Sequence, residues 1–596
     1  MKTGKPAVAL FLLSLLLIYS PLKGEKNEDI IIEALTDELN RSMKFLKIKN
    51  MERPYYLDYT ILDKWVLEIE AGFGSLIRSE VSQDRRLNVN LRVGSYQLDN
   101  TGFLDMDSMF AAFGGIRNIV LEDDYNAIRR EVWLATDKAY KNALEQLADK
   151  RAFIKNNVQA DEIPDFSQEE PIQLPEPRVF REIDRVKWEK TVKNLSALFR
   201  KFPAINESAV KLKVKFAHRY FVNSEGAVVR KAEPLVSLEA LASTQAADGM
   251  KLKHYIPFYA TGIEGLPGEK DITAGIRKMA EELTALTTAP LLDEYIGPVL
   301  FSGQASAELF AQVLVPHLSG ERPPLCPEPR LAERVFTGKL TRRINRRVLP
   351  REISISDDPG RSRFNKEPLI GSYRVDDQGV SASPVELVER GVLKTLLMSR
   401  RPSRDISNSN GHARAGFGGI TGVHIANFFV TTEKGKSYRE MKKELLQLCR
   451  DQQLPSGLII KTLDNPRITG VDRSAASLYM RPDPRATQVT NPVLVYRVHV
   501  KDGREELVRG ITFSEVNLRS LKDILAVGND YTVHHRLFTG GGIGGFSFGF
   551  SMRGGSEMGI PASIVAPSVL VEELEFKKAA ETRKTPPLLI HPFFSK

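Results

Sequence analysis

Two glycine-rich patterns near the C-terminus match motifs that do chemistry in other proteins. Gly540-Gly541-Gly542-Ile543-Gly544-Gly545 fits G-x-G-x-x-G. That pattern cradles a pyrophosphate only where a strand leads in and a helix leads out, so that the helix N-terminus faces the phosphates. Here Phe546-Ser547-Phe548-Gly549-Phe550 follows and alternates like a strand, which argues against a nucleotide site. Gly545-Phe546-Ser547-Phe548-Gly549 fits the nucleophile elbow G-x-S-x-G. An elbow needs a strand-to-helix turn, then an acid and a histidine. No Asp follows Ser547, and Glu572, Glu573, Glu575 and His591 lie in a short tail. A glycine-rich loop with aromatic packing accounts for both patterns.

The remaining candidates are sparse. His534-His535 is a vicinal pair, and neighbours on a strand point to opposite faces and rarely share a metal. His412 and His424 flank a Gly-rich loop and read as ordinary polar or core histidines. Asp376-Asp377 could work as a carboxylate pair, but with Gln378-Gly379 it looks like a turn joining two strands. Arg342, Arg343, Arg346, Arg347 and Arg351 form a basic cluster that could meet phosphate or an acidic partner, and that more often is a solvated face. No His-Glu-x-x-His occurs anywhere. Cys326 and Cys449 are the only cysteines. They are too few for a cysteine-rich zinc site or a disulfide framework, and the sequence does not decide whether they bridge.

The elements that must position such residues can be read from periodicity. Residues 57–94 read as strands, with Leu87, Val89, Leu91 and Val93 alternating with polar residues. A helix is expected at about 124–149, with Ile128, Val132, Ala139, Ala143 and Leu147 on one face and Asp123 or Asp124 as cap. Pro164, Pro171, Pro175 and Pro177 among acids suggest an exposed linker or long loop at about 158–178. A second helix carries Trp188, Val192, Leu195 and Phe199. Strands follow at 209–253 and helices at 272–287 and 304–318. Strands dominate beyond 350, including a hairpin at 493–508 that turns on Asp502-Gly503. The reading is α+β, helix-rich in the N-terminal half and β-rich in the C-terminal half.

Composition is that of an ordinary globular chain: 596 residues, 42% hydrophobic and 27% charged, enough for two or three domains. Lys2 and Lys5 precede an apolar run from Ala7 to Tyr19, broken by Pro21. The run is short for a membrane span and fits a secretory signal ending near Leu22-Lys23-Gly24. Residues 1–24 are therefore expected to be removed and the protein exported, periplasmic or extracellular, with no stable membrane span left. The 84 basic and 75 acidic residues give +9, and losing Lys2, Lys5 and Lys23 leaves 81 against 75, or +6. That is mild for this length and gives no reason to expect nucleic acid as a partner.

Four blocks carry a resemblance. They are Val299-Leu300-Phe301-Ser302-Gly303 with Ala307-Glu308-Leu309-Phe310 and His317-Leu318-Ser319-Gly320; Phe336-Thr337-Gly338-Lys339-Leu340 with Ile353-Ser354-Ile355-Ser356-Asp357-Asp358-Pro359; Asp376-Asp377-Gln378-Gly379 with Leu387-Val388-Glu389-Arg390-Gly391; and Ile560-Pro561 with Ala566-Pro567-Ser568-Val569-Leu570 and Glu573-Leu574. In order and spacing they resemble the TldD/PmbA family of metallopeptidase-like proteins, also called modulators of DNA gyrase. The match runs over roughly 290–578 and is weaker over 57–290.

The resemblance implies an N-terminal α/β domain (25–290) and a β-rich C-terminal domain (291–596). It also implies dimers that enclose a cavity, and cleavage of unfolded or short peptides. Active members hold zinc through His-Glu-x-x-x-His and a C-terminal Cys, with the Glu taking a proton from zinc-bound water. In this chain those positions fall on Gln312, Val313 and His317, with the Cys position at or near Arg553. Only His317 is kept as a ligand type. The chain is thus similar to the PmbA (TldE) subunit, with no catalytic residues, no zinc expected, and either a TldD-like catalytic subunit or a second copy of itself as partner. The alternatives are a self-associating peptide-binding protein that does not cut, or an active metallopeptidase or hydrolase with a rebuilt site.

Overall fold

The computed structural model describes residues 29–104, 117–157, 162–328, 338–416, 421–470, 489–538 and 559–580, and parts of the tail at 585–594. The expected signal segment, the glycine-rich stretch 540–555 with Ser547, and Arg553 lie outside the described residues.

The N-terminal half is built on one hairpin. β1 (Pro54–Gly72) and β2 (Ser75–Val93) pair antiparallel from end to end. They turn on Phe73 and Gly74, both at positive φ (46° and 81°), the two-residue geometry that suits the twist of paired strands. β3 (Arg117–Asn118) pairs with β2. β4 (Gln173–Pro175), β5 (Glu207–Asn223), β6 (Val228–Ala232), β7 (Leu235–Gln245) and β8 (Lys251–Ala260) complete an eight-stranded sheet in the order β3-β2-β1-β5-β6-β4, with β7 on β5 and β8 on β7.

The register sorts this sheet into two unlike faces. Residues alternate along each strand, so Leu57, Tyr59, Ile61, Leu67 and Ile69 of β1 share a face with Val222, Tyr220, Val214 and Leu212 of β5. Four helices cover that face. α1 (Ile30–Phe45), capped by Asp29, and α2 (Tyr125–Asn157), capped by Asp124, bury Ile31, Leu35, Ile128, Val132 and Leu147 against one end. α3 (Arg185–Ala197) and α4 (Glu269–Thr288) bury Val192, Leu195, Ile276 and Leu283 against the other. The opposite face carries Asp58, Lys64, Glu68, Glu70, Asp84, Asn90, Lys211, Lys213, Lys215 and Arg219.

The C-terminal half packs two sheets around one helix. A seven-stranded sheet centres on Tyr295–Phe301, Ser456–Leu463 and Val569–Lys578. A six-stranded sheet includes Ser354–Asp357, Asn427–Thr431, Thr532–Phe538 and Ile560–Ala566. α5 (Gln304–Val313) is buried along its length between them, with Ser306, Glu308 and Gln312 buried among its apolar residues and hydrogen-bonded inside the molecule. α6 (Tyr438–Asp451) covers the outer face of the seven-stranded sheet through Met441, Leu445 and Cys449. α7 (Pro466–Thr469) is a single turn.

The α+β reading holds, with two corrections of detail. As expected, the N-terminal half holds most of the described helix, set along one side of the longest described strands, while strands dominate the C-terminal half. The described part of the 158–178 stretch is the long loop of the two alternatives rather than a linker, and it is pinned to the molecule. Phe166 is buried, Asp165 pairs with Lys150 and Arg322, Ser167 N–H donates to Arg400 O (2.9 Å), and Gln173–Pro175 is β4. Its prolines exclude helix, yet its acids and backbone groups find partners inside the molecule. The periodicity reading also passed over α6, whose capping box of Ser437 and Glu440 is legible in the sequence. Cys326 and Cys449 are both free thiols.

The charged sheet face meets the C-terminal half across a seam of ion pairs. Arg400, fully buried, forms a bidentate pair with Glu225 (2.6 and 2.7 Å) and lies 3.9 Å from the Phe166 ring centre. Lys231 and Arg219 meet Asp377, Arg467 meets Glu239, Lys253 meets Asp464 and Arg509 meets Asp248. Removing one partner of a buried pair leaves an uncompensated charge. Glu225→Ala should therefore destabilise the protein by about 3–5 kcal/mol, and Glu225→Gln by less, read as shifts in the denaturant midpoint.

Candidate functional site

The positions singled out in the sequence lie on or just after α5. Gln312 is buried at its C-terminal end, and each amide atom has a partner. Nε2 donates to Glu308 Oε2 (2.7 Å) and Thr490 Oγ1 (3.1 Å), and Oε1 accepts from Thr490 N–H (2.7 Å). Val313 is sealed in the apolar core. His317 is buried in the 3-10 turn Val315–His317, which contains Pro316 and follows the helix after Leu314.

Glu308, one turn before Gln312, is the hub of this cluster. Its fully buried carboxylate accepts from Gln312, from His534 Nε2 (2.9 Å) and from Arg536 Nη1. His534 and Arg536 come from strand Thr532–Phe538, on the same face two residues apart. His535, between them, points away and meets Ser563 Oγ through Nδ1 (3.0 Å), so the vicinal histidines diverge as expected. Burial pushes His534 down to about 4, and burial with the charge of His534 does the same to His535. Burial lowers Arg536 to about 10, against the opposing pull of Tyr255 and Tyr259.

Both halves build the surroundings. Gln304, at the start of α5, donates to Tyr255 Oη of β8 (3.0 Å), and that hydroxyl donates to Leu463 O (2.8 Å). Tyr259 donates to Glu239 (3.0 Å), which Arg467 also meets.

These residues do not fit a zinc ion. The Gln312 oxygen is engaged by Thr490, Val313 offers no donor, and a guanidinium occupies the side of Glu308 where a cation would sit. Among the described residues no three His, Cys, Asp or Glu side chains converge on a metal position.

The other candidates separate cleanly. Asp376 accepts from the N–H groups of Gln378, Val380 and Ala413 (2.9, 2.9 and 3.1 Å), and Gly379 sits at φ 78°, so the Asp376–Gly379 stretch is a turn. Burial raises Asp376 to about 6, while Asp377 is tied to cations. His412 is buried against Asp357 (3.1 Å), and burial with the charge of Arg414 pushes His424 down to about 3. All five arginines of the 342–351 cluster are exposed. Glu308 and Arg536 were not singled out in the sequence as site residues. The available signal was a Glu and a Gln four residues apart on one helix, a spacing that puts them in contact.

An α5 buried between two mixed sheets, beside a sheet sheathed by helices, is an architecture with known relatives. Residues 294–472 match the family model for the PmbA/TldA metallopeptidase C-terminal domain. The fold is shared with a crystal structure of TldE from Thermococcus kodakarensis (TM-score 0.53, 14% identity, 91% of this chain and 99% of that one). It is also shared with a Thermotoga maritima protein described as a modulator of a DNA gyrase (TM-score 0.54, 18% identity, 87% and 96%). A metalloprotease of Archaeoglobus fulgidus is 32% identical over 20% of this chain and 26% of its own length. One from Methanothermobacter thermautotrophicus is 27% identical over 35% and 43%. The chain thus spans less than half the length of these curated relatives. Residues 294–472 thus form a C-terminal domain of the PmbA/TldD metallopeptidase type, and the chain as a whole shares the fold of these TldE and gyrase-modulator structures.

Buried neutral histidines carry a cost in acid. His534 has a lower pKa folded than unfolded, so its contribution is fully present above the unfolded value of 6.5 and is lost as pH falls towards 4. Asp58 and Asp376, both raised to about 6, act in the opposite sense over an overlapping range. The test is therefore a difference. The stability gap between wild type and His534→Gln should shrink by about 2 kcal/mol between pH 7 and pH 4.5, measured by denaturant titration at each pH.

Proposed function

We propose that this chain is a non-catalytic member of the TldD/PmbA family, exported, which binds unfolded or short peptides within a larger assembly. The observation that carries the reading is the state of Gln312 and Val313, one locked by hydrogen bonds to Glu308 and Thr490 and the other in the core. Neither can hold zinc or accept a proton from water. The family model and the metalloprotease relatives support descent from a peptidase. The likeness to a TldE supports pairing with a TldD-type subunit or with a second copy. The basic, then apolar, N-terminus supports export.

Elemental analysis of the purified mature chain should find close to zero zinc per chain, and the isolated chain should leave unfolded peptides intact. About one zinc per chain with zinc-dependent cleavage would overturn the reading and favour a rebuilt active site.

A further inference from the structure

The seam between the charged sheet face and the Asp376–Gly379 turn holds more cations than carboxylates. β1, β5 and β6 set Lys64, Lys215, Arg219 and Lys231 on one face, and strand Ala413–Ala415 sets Arg414 beside Asp377, which Lys231 and Arg219 also meet. Three carboxylates meet these five cations. Asp84 pairs with Lys64 (3.1 Å). Glu233 pairs with Arg219 (2.8 Å) and lies near Lys231 (3.8 Å). Asp377 meets Lys231 and Arg219. Asp376, on the same turn, is taken up by backbone N–H groups, and His424 is neutral there.

Among the described residues, Arg414 and Lys215 are the members of this set without a carboxylate at hydrogen-bonding distance. Arg414 is 7% exposed, its Nε and Nη1 have no hydrogen-bond partner among the described residues, and its nearest carboxylate, Asp377, is 3.8 Å away. The Tyr373 ring, 4.3 Å from the guanidinium carbon, fixes its plane. Lys215 is half-buried on the facing sheet. Burial lowers its pKa against the pull of Glu233, and the charges of Arg219, Lys64 and Arg414 add to the lowering. A buried guanidinium with idle donors beside an ammonium crowded by other cations is costly unless an anion joins them. The fork of N–H groups on arginine matches a planar carboxylate or a phosphate.

We propose that this seam is an oxyanion site in which Arg414 and Lys215 bind a carboxylate or phosphate group. Its natural occupant is the terminal carboxylate of a short peptide, an assignment that rests on the peptide-binding reading above.

Titration calorimetry on the full mature chain tests this with three probes: inorganic phosphate, a short unfolded peptide with a free C-terminal carboxylate, and the same peptide amidated. The free peptide should bind at least tenfold more tightly than the amidated one, and Lys215→Met and Arg414→Met should each erase that preference. Lys215 is half-buried and carries the test if Arg414→Met fails to fold, as judged by its thermal melt. Phosphate binding that depends on Lys215, without peptide binding, supports the oxyanion site and overturns the peptide reading. Peptide binding that ignores both amidation and Lys215→Met overturns the oxyanion site and leaves the peptide reading standing. Binding of neither probe overturns the site.

Discussion

The rest of the molecule depends on a sheet whose two faces cannot both be covered by the same material. One side of the β1–β5 pair is a row of Leu, Tyr, Ile and Val that four helices remove from water, at roughly 25 cal/mol for each Å² of apolar surface buried. The other side is a field of Lys, Arg, Asp and Glu. Most of that field cannot enter an apolar core, so the C-terminal half presents opposite charges at matching positions, with Asp377, Arg400, Asp464 and Arg467 among them. The relation between the two halves is thus set by electrostatic register rather than by shape alone.

The same logic shapes the surroundings of α5. A buried carboxylate left without donors would cost several kcal/mol. Glu308 has Gln312, His534 and Arg536, and Gln312 in turn is satisfied by Thr490. The cluster is closed on itself and leaves the lone pairs of Gln312 committed. The polar atoms of α5 serve internal satisfaction.

Much of this was legible in the sequence. Leu87 to Val93 announced a half-buried strand by alternation, Ile128 to Leu147 a helix by its spacing, and Asp502-Gly503 the hairpin turn. The family blocks located α5 and the Asp376–Gly379 turn. What periodicity could not reveal is pairing over long separations. Glu308 and Arg536 stand 228 residues apart, and Arg400 and Glu225 175 apart. A stretch such as 162–178 reads as an exposed linker or long loop because prolines and acids resemble solvent-exposed chain until Lys150, Arg322 and Arg400 appear beside it. Nor could composition separate Arg414, which is buried, from the five exposed arginines near residue 346.

The β1–β2 hairpin crosses from one electrical environment to another. At its base, Arg92 and Asp99 are buried and pair at 2.8 Å. Towards its tip, Arg78, Lys211 and Lys213 ladder onto the half-buried Glu68 and Glu70 (2.7–3.3 Å), with Arg78 and Lys211 facing solvent. Mobile ions screen exposed charges within about 8 Å at physiological strength but hardly reach buried ones. As ionic strength rises, the tip therefore loosens while the base and the seam keep their grip. One continuous ribbon acts as a graded element, salt-responsive at its outer end and insensitive where it meets the other half.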